Sequence, residues 1–441
     1  MRNKLASPAR ILVLGFASVI LLGTILLMLP AATANQQGLS FLDALFQATS
    51  AVCVTGLVVV DTGTDLSFIG QVILVLLVQI GGLGFITMAT LLALLMGKRI
   101  GLRERLVMQQ ALNQLSIEGI VRITIYIIAF TLIVESAAAL ILAISWWPEL
   151  GWQKAAFFGI FHSITGFCTA GFDLFGEYRS LTSYVDHPVV NIVICSLIIL
   201  GGLGFSVIVD VINKRGIRGL SLHSKLVIAT NLVLWGLGFV IFFLMEYNNP
   251  NTLQPLSMDG KLWAAFFQAI TPRSAGFATV DVGGMFAGTQ LLLIILMFIG
   301  ASSGSMGGGI KTSTFAALIM AVWAMIRGKR DVEVFRRRIS QEVVFRALTI
   351  AAMAGLLVVV MTMILTITEQ ADFLTVLFEV VSAFGTVGLS MGLTSELTPI
   401  GKVLIALTMF IGRVGPLTLA FALTQSKGST VRQPEEKILV G

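Results

Sequence analysis

Long apolar stretches alternate with short polar segments along the whole chain. A membrane span needs about 20 mainly apolar residues, and eight stretches of this kind are present. They are Ile11–Leu29, Ile69–Met96, Val121–Ser145, Val189–Val211, Leu226–Met245, Leu291–Ile326 with a glycine-rich interruption, Val343–Ile367 and Val403–Leu423. Between the members of each successive pair lies a shorter apolar segment that suits a re-entrant half-helix. These segments are Leu39–Ala51, Trp152–Thr165, Lys261–Ile270 and Phe373–Ala383.

A similar short phrase follows each predicted half-helix and ends at a glycine. The phrases run over Ser50–Leu57, Gly166–Phe172, Thr271–Phe277 and Ser382–Leu389, with Gly56, Gly171, Gly276 and Gly388 in register. A phenylalanine stands ten residues before each glycine, at Phe46, Phe161, Phe266 and Phe378. The chain is therefore expected to contain four tandem repeats, residues 1–105, 106–220, 221–338 and 339–425, and a tail, 426–441. We predict an all-α membrane protein in which eight transmembrane helices, arranged as span–pore-loop–span repeats, surround a pseudo-fourfold central pore.

The chemistry of a glycine loop inside a membrane is restricted. Irregular backbone at this depth must be buried or line water, and glycine reaches positive φ at little cost. Four such strands around one axis can replace the hydration shell of a monovalent cation with backbone carbonyls. The predicted filter residues are Val54, Thr55, Gly56, Thr169, Ala170, Gly171, Ser274, Ala275, Gly276, Thr386, Val387 and Gly388. The alternative is that the glycines only allow close helix packing, but four glycines in register after half-helices favour a filter.

A second glycine pattern lies in the second span of each repeat. It covers Gln79–Phe85, Leu200–Phe205, Ile299–Thr312 and Ile411–Thr418. The third copy is the outlier, because its glycines and serines cannot sustain a continuous helix. We predict a gate there, formed by Gly300, Ser302, Ser303, Gly304, Ser305, Gly307, Gly308 and Gly309 and flanked by the intramembrane cations Lys311 and Arg413. The alternative is a kink that serves packing.

Composition and charge support a membrane protein. Hydrophobic residues are 56% of the chain, charged residues 12%, and the mean hydropathy is +0.94, whereas a soluble domain carries about 25% charged residues. Of 29 lysines and arginines, 22 fall on the side of the chain termini in this topology. Both termini are therefore expected to be cytoplasmic. The net charge of +6 follows from topology and predicts no nucleic-acid partner.

Other polar residues lie within apolar segments. Glu135 lies in a span and Glu379 in the fourth half-helix, and intramembrane carboxylates are functional candidates by default. His162 and Gln47 are expected to be hydrogen-bonded scaffold rather than ligands. No nucleotide motif is visible, since the glycines of 81–84 lie within a span. Only three histidines are present, which argues against a membrane enzyme.

The repeated filter phrases and the third-repeat glycine–serine loop resemble the Trk/Ktr/HKT superfamily of cation transporters, over nearly the whole chain. The first repeat begins at the N-terminus without extra leading spans, which resembles the Ktr-type potassium-translocating subunit. The Thr386-Val387-Gly388 phrase matches the core of potassium-channel filters. Within the superfamily, a serine at the first filter glycine marks sodium-preferring plant relatives, so Gly56 points to potassium.

The resemblance implies a bacterial plasma-membrane protein that takes up K⁺, with Na⁺ as a candidate activator. It also implies a homodimer, a cytosolic RCK-type nucleotide-binding regulatory ring, and a role for Arg413 facing the gating loop. The basic loops offer a docking surface for that ring, or serve only topology or lipid binding. Two other functions stay open: a sodium-selective or poorly selective channel, and an ion-coupled secondary transporter. A transporter of that class typically shows inverted repeats, which the parallel repeats here do not match.

Overall fold

The computed structural model describes residues 8–84, 87–88, 90–91, 101–111, 120–214, 216–329, 331–416 and 418–419. The first two repeats contain α1 Pro8–Leu27, α2 Phe41–Cys53, α3 Phe68–Leu83, α4 Leu102–Ala111, α5 Ile120–Leu150, α6 Trp152–Phe167, α7 Pro188–Leu203 and α8 Phe205–Asn213. The last two contain α9 Leu222–Glu246, α10 Met258–Ile270, α11 Ala287–Phe298, α12 Thr312–Ile326, β1 Val332–Val334, β2 Arg337–Ile339, α13 Gln341–Thr368, α14 Phe373–Gly385, α15 Leu393–Glu396 and α16 Pro399–Val414. Short 3-10 helices cover Pro30–Ala32, Thr182–Tyr184 and Ile217–Gly219. The tail 426–441 and the span residues 92–96 lie outside the described residues.

The first span of each repeat is a long apolar helix. Among the described residues, four helices are long and apolar enough to cross a membrane, and they begin the four repeats: Ala9–Leu27, Ile120–Leu150, Leu222–Glu246 and Gln341–Thr368. A fifth is added if the bent pair α7 and α8 counts as one span. These helices confirm a multi-pass design, while the full count of eight spans stays a prediction.

The four half-helices lie where the sequence predicts them and form the centre of the molecule. Helices α2 and α10 begin at serine caps: the Ser40 hydroxyl accepts from the Asp43 backbone N–H, and the Ser257 hydroxyl from that of Gly260. Such caps satisfy N–H groups that the helix leaves without a partner. Most of the residues in the last two turns of each half-helix are buried. The half-helices therefore lie inside a sheath of longer helices.

The second spans are not the continuous helices that the sequence predicts. Helices α3, α7 and α16 each end directly before a glycine, Gly84, Gly204 or Gly415, with φ of 83°, 90° and 89° and ψ of 134° in all three. Side chains rarely adopt this conformation, and glycine does so readily. The axes of α7 and α8 differ by 95° across Gly204. The break predicted for the third repeat alone is thus shared by all four.

An ion pair joins the last repeat to the first, and a short hairpin forms the connection between the third and fourth repeats. Lys402 on α16 pairs with Asp43 at the start of α2, with 2.6 Å between nitrogen and oxygen. Strands β1 and β2 form an antiparallel hairpin between repeats three and four, with Val332 opposite Ile339. Basic side chains lie on and beside this hairpin, where Arg338 pairs with Asp331.

Candidate functional site

Each predicted filter phrase has the same backbone conformation. The residue two positions before each repeat glycine has positive φ although it is not glycine: Val54 (59°), Thr169 (60°), Ser274 (67°) and Thr386 (47°). The repeat glycines follow with φ of 91°, 69°, 77° and 97°. Left-handed backbone at a non-glycine residue costs about 1–3 kcal/mol, and it persists where the surroundings demand it, often at ligand sites. Four such residues at matching positions show that the repeat seen in the sequence is also a repeat in backbone conformation.

The four phrases lie against one another in a closed ring. A β-carbon added to each repeat glycine would collide with a carbonyl oxygen of the next repeat. The distances would be 2.2 Å from Gly56 to Ala170, 2.5 Å from Gly171 to Ala275, 2.3 Å from Gly276 to Val387 and 2.3 Å from Gly388 to Thr55. The contacts pass from repeat one to two, three, four and back to one. No residue other than glycine fits at these four positions without displacing backbone.

Backbone N–H groups of the phrases are bonded back to the half-helices. The residue before each repeat glycine donates its N–H to a carbonyl at the end of the preceding half-helix: Thr55 to Ser50, Ala170 to Thr165, Ala275 to Thr271 and Val387 to Ser382, at 2.7–3.0 Å. Two serine hydroxyls, of Ser50 and Ser382, also accept from the N–H groups of Gly56 and Gly388 at 3.1 Å. The ends of the half-helices therefore hold the four phrases in place.

The glycine–serine loop between α11 and α12 packs directly against the third and fourth phrases. The Gly308 N–H donates to the Thr386 hydroxyl at 2.8 Å. A β-carbon at Gly307 would lie 2.5 Å from the Ser274 β-carbon. Ser274 and Thr386 are the positive-φ residues of their phrases, so the loop contacts the ring at the face nearest the half-helix ends.

The same loop caps the broken end of α7. The last carbonyls of a helix have no partner within the helix. Here the Ser302 and Met306 N–H groups donate to the Gly202 and Gly201 carbonyls at 3.0 and 3.2 Å. In return the Gly304 carbonyl accepts from the Phe205 N–H at 3.0 Å, at the start of α8. Backbone hydrogen bonds therefore hold the loop to the second repeat.

Arg413 joins the loop to the first repeat. Its guanidinium donates to the Met306 carbonyl in the loop, and to the Gly81 and Gly82 carbonyls at the broken end of α3. The guanidinium carbon also lies 5.9 Å from the ring centre of Phe16. Lys311, in contrast, donates to the Gly307 and Gly308 carbonyls of its own loop. Arg413 of the fourth repeat thus connects the third-repeat loop to the first repeat, whereas Lys311 forms hydrogen bonds within its own loop.

A family model for the TrkH cation transport proteins matches residues 3–431. The chain belongs to this family. The Ktr system potassium uptake protein B of Bacillus subtilis (strain 168) is 46% identical over 99% of this chain and 97% of that protein. The potassium/sodium uptake protein NtpJ of Enterococcus hirae is 39% identical over 100% of this chain and 98% of that protein. The crystal structure of the potassium transporter TrkH from Vibrio parahaemolyticus shares the fold, with a TM-score of 0.76 at 20% identity, over 96% of this chain and 86% of that one.

Membership of the TrkH family confirms two of the predictions from sequence. The resemblance to the Trk/Ktr group holds, and a family of cation transport proteins is one of transporters and not of enzymes. The solved structure confirms the helical fold of a membrane transporter.

Two carboxylates of this TrkH family member, which had no assigned partners in the sequence, have them in the structure. Glu135 accepts from the Gln79 side-chain amide at 3.1 Å, beside the broken end of α3. Glu379 accepts from the hydroxyls of Ser390, at 3.0 Å, and Thr394. Glu135 therefore links the second repeat to the first, and Glu379 links the fourth half-helix to the segment that follows its glycine phrase.

The third repeat departs from the other three near its half-helix. Phe46, Phe161 and Phe378 are at most 1% exposed, but Phe266 is 38% exposed and Phe267 is buried in its place. Helix α10 ends at Ile270, six residues before its repeat glycine, whereas α2 and α14 end three residues before theirs. The extra non-helical residues shift the buried face of α10 by one position.

Arg273 lies in this longer connection, and sequence analysis did not single it out as a site residue. It is only 4% exposed. Its Nε donates to the Gly300 carbonyl at 2.8 Å, and its Nη2 to the Asn231 side-chain oxygen at 3.1 Å. A signal was available, because the equivalent positions hold the small residues Cys53, Cys168 and Gly385. A charged residue at only one of these four matched positions indicates that the third repeat differs locally from the other three.

Proposed function

We propose that this chain takes up potassium across the plasma membrane through a gated pore on the axis of the four glycine phrases. The closed ring of glycines and carbonyls carries the proposal. Relatives of nearly equal length, at 46% and 42% identity, are named Ktr system potassium uptake protein B, which supports potassium as the transported ion. The membrane potential would drive entry.

Selection in the proposed filter rests on backbone carbonyls. The residues Val54, Thr55 and Gly56, with their counterparts in the other three repeats, would present oxygens to a dehydrated K⁺ ion. The half-helices direct their C-terminal ends, which carry partial negative charge, toward the ring and so favour a cation. Because the N–H groups are bonded back to the half-helices, they do not oppose the ion.

The proposed gate is the loop Gly300–Gly309. It lies against Ser274 and Thr386 and is held by Arg413 and by the end of α7. In this position it obstructs the route from the filter to the cytoplasm. Conduction requires the loop to move, and its glycines lower the cost because few side chains must be repacked.

Sodium is a second candidate ion for this pore, as co-transported or activating ion. The relative NtpJ is named a potassium/sodium uptake protein. Only the fourth phrase has the Thr-Val-Gly sequence of potassium-channel filters, so the four strands are chemically unequal. The glycine at position 56 still favours potassium as the main substrate.

Regulation and assembly belong to the same proposal. A chain whose relatives are named for a Ktr system fits a partnership with other subunits. We expect a homodimer that docks on a cytosolic, nucleotide-binding ring of the RCK type. Both termini and the basic segments, including the hairpin Val332–Ile339, would then face the cytoplasm, with the filter mouth outside.

The test is flux into proteoliposomes that contain the purified chain. The proteoliposomes are loaded with K⁺, and the outward K⁺ gradient drives the uptake of Rb⁺ or Na⁺. Uptake is measured for wild type and for a variant that lacks Ser303–Gly308. Wild type should take up Rb⁺ faster than Na⁺, and the deletion should raise the uptake of both. Absence of cation uptake by wild type and deletion alike would refute the pore. A well-folded deletion that conducts no faster than wild type would place the gate elsewhere.

A further inference from the structure

The side chain of Arg273 reaches from the third filter phrase to the start of the gating loop. It stands three residues before Gly276, and its Nε donates to the Gly300 carbonyl at 2.8 Å. Among the described residues it has no ion pair, so neutral acceptors alone satisfy a buried cation. Hydrogen bonds from a charged donor are stronger than those between neutral groups.

Gly300 belongs to the narrow neck where the loop begins and ends. The Ala301 N–H donates to the Gly308 carbonyl at 3.4 Å, and the Thr312 N–H donates to the Ala301 carbonyl at 3.2 Å. Gly300 has φ of 46°, and a β-carbon there would lie 2.4 Å from the Gly308 oxygen. Any movement that lifts the loop must open this neck and displace the Gly300 carbonyl.

Asn231 on α9 extends the same connection to the other side of the neck. Its side-chain oxygen accepts from Arg273 Nη2 at 3.1 Å, and its amide donates to the Ser302 hydroxyl at 3.1 Å. Ser302 in turn accepts from the Thr312 hydroxyl at 3.1 Å. The hydrogen bonds therefore run from one filter phrase through a span to both ends of the loop.

The guanidinium has space for a small displacement. Its Nη1 has no acceptor among the described residues, and Arg273, Asn231 and Trp235 line a small cavity of about 10 Å³, about enough for one water molecule. When the Gly300 carbonyl moves, the side chain bonded to it can shift a short way with it. The phrase that carries Arg273 then moves as well.

We propose that Arg273 is a positioning residue that couples the selectivity filter to the gating loop. The bond to Gly300 transmits the position of the loop to the third filter phrase, so that phrase keeps its selective geometry during conduction only while Arg273 and the loop are joined. Ion preference and gate position are then linked in one equilibrium. The proposal rests on the filter and gate proposed above and adds that the two do not act independently.

The test is a double-mutant cycle between Arg273→Gln and deletion of Ser303–Gly308. Rb⁺ and Na⁺ uptake are measured in proteoliposomes for wild type, each single variant and the double variant. Each single variant should raise total uptake and lower the Rb⁺/Na⁺ ratio by about threefold or more, which is about 0.65 kcal/mol or more. In the double variant both effects should stay at the level of the deletion alone, since coupled residues are not additive.

If the double variant lowers the Rb⁺/Na⁺ ratio by the product of the two single effects, Arg273 and the loop act independently and the proposed coupling is wrong. Arg179→Gln, a substitution of an exposed arginine that pairs with Glu177, serves as the matched control and should leave the ratio at its wild-type value. Ser302→Ala removes the hydrogen bonds from Asn231 and Thr312 and carries the test if Arg273→Gln does not fold. It should lower the ratio in the same direction, and an unchanged ratio would count against the proposal. A deletion without any effect on uptake would instead refute the gate itself.

Discussion

Substitution of Gly56 by serine tests the proposed filter most directly. The glycine has φ of 91°, and a β-carbon there would lie 2.2 Å from the Ala170 oxygen, whereas ordinary contact begins at 3.4 Å. The first and second filter phrases must therefore separate by about 1 Å. Ala170 is a backbone neighbour, so no flexible side chain can absorb the collision.

Two costs set the size of the effect. A side chain in left-handed backbone costs about 1–3 kcal/mol, and overpacking costs about 1–3 kcal/mol. The ring reduces these costs when the first and second phrases move apart. This movement changes the spacing of the carbonyl oxygens. If about 1 kcal/mol appears as lost discrimination, the preference for Rb⁺ over Na⁺ falls about fivefold.

The assay is the initial rate of Rb⁺ and Na⁺ uptake into proteoliposomes, for protein that elutes as a single species in size-exclusion chromatography. Gly328→Ser is the matched control for conformation, since Gly328 has φ of 66° and nothing within 4 Å of a β-carbon. Gly236→Ser, also with open space around it, controls for serine in a span. An unchanged ratio in Gly56→Ser would remove Gly56 from the filter. An equal loss in either control would show that the effect is general strain.

Three further outcomes are expected. Arg413→Ala should raise uptake without a regulator about tenfold, since a hydrogen bond to a charged group contributes about 1.5–3 kcal/mol; uptake no faster than wild type would refute a closing role. Burial and, secondarily, Asp61 raise the pKa of Asp173 to about 7, so a proton neutralises this carboxylate beside Gly171 as the external pH falls below 7. Cation uptake should then decrease, and Asp173→Asn should remove that dependence. A cytosolic nucleotide-binding subunit should copurify with the chain and change its flux when the nucleotide is exchanged; flux that ignores every cytosolic fraction would refute the partner.

The half-helices and filter phrases could be predicted from sequence because they occur four times. A single glycine after a short apolar segment can be interpreted in several ways. Four glycines at matching positions after four such segments favour one interpretation, a repeated half-helix and loop. The positive φ at Val54, Thr169, Ser274 and Thr386 was not foreseeable from residue type, since valine and threonine disfavour it. Val54 and Thr386 are the C-cap residues of α2 and α14, and left-handed backbone is common where a helix ends.

The breaks at Gly84, Gly204 and Gly415 could not be predicted from hydropathy. Apolar residues continue on both sides of each glycine, and straight and bent helices have the same composition. Alignment of the four second spans gave the available signal, because these glycines stand near the position of the third-repeat loop. Arg273 was missed as a site residue for a related reason: charge counting assigns a residue by its segment and ignores its position in the repeat.

The broken helices also explain why one loop can control the proposed pore. Each break leaves carbonyls at a helix end without partners. The loop supplies N–H donors to Gly201 and Gly202, and Arg413 supplies donors to Gly81 and Gly82 while it holds the loop. If the loop is the gate, as we propose, its opening would remove some of these donors, and water would have to replace them because unpaired buried carbonyls are costly. We therefore expect the open gate to be hydrated, with exposed carbonyls that favour a cation leaving the proposed filter.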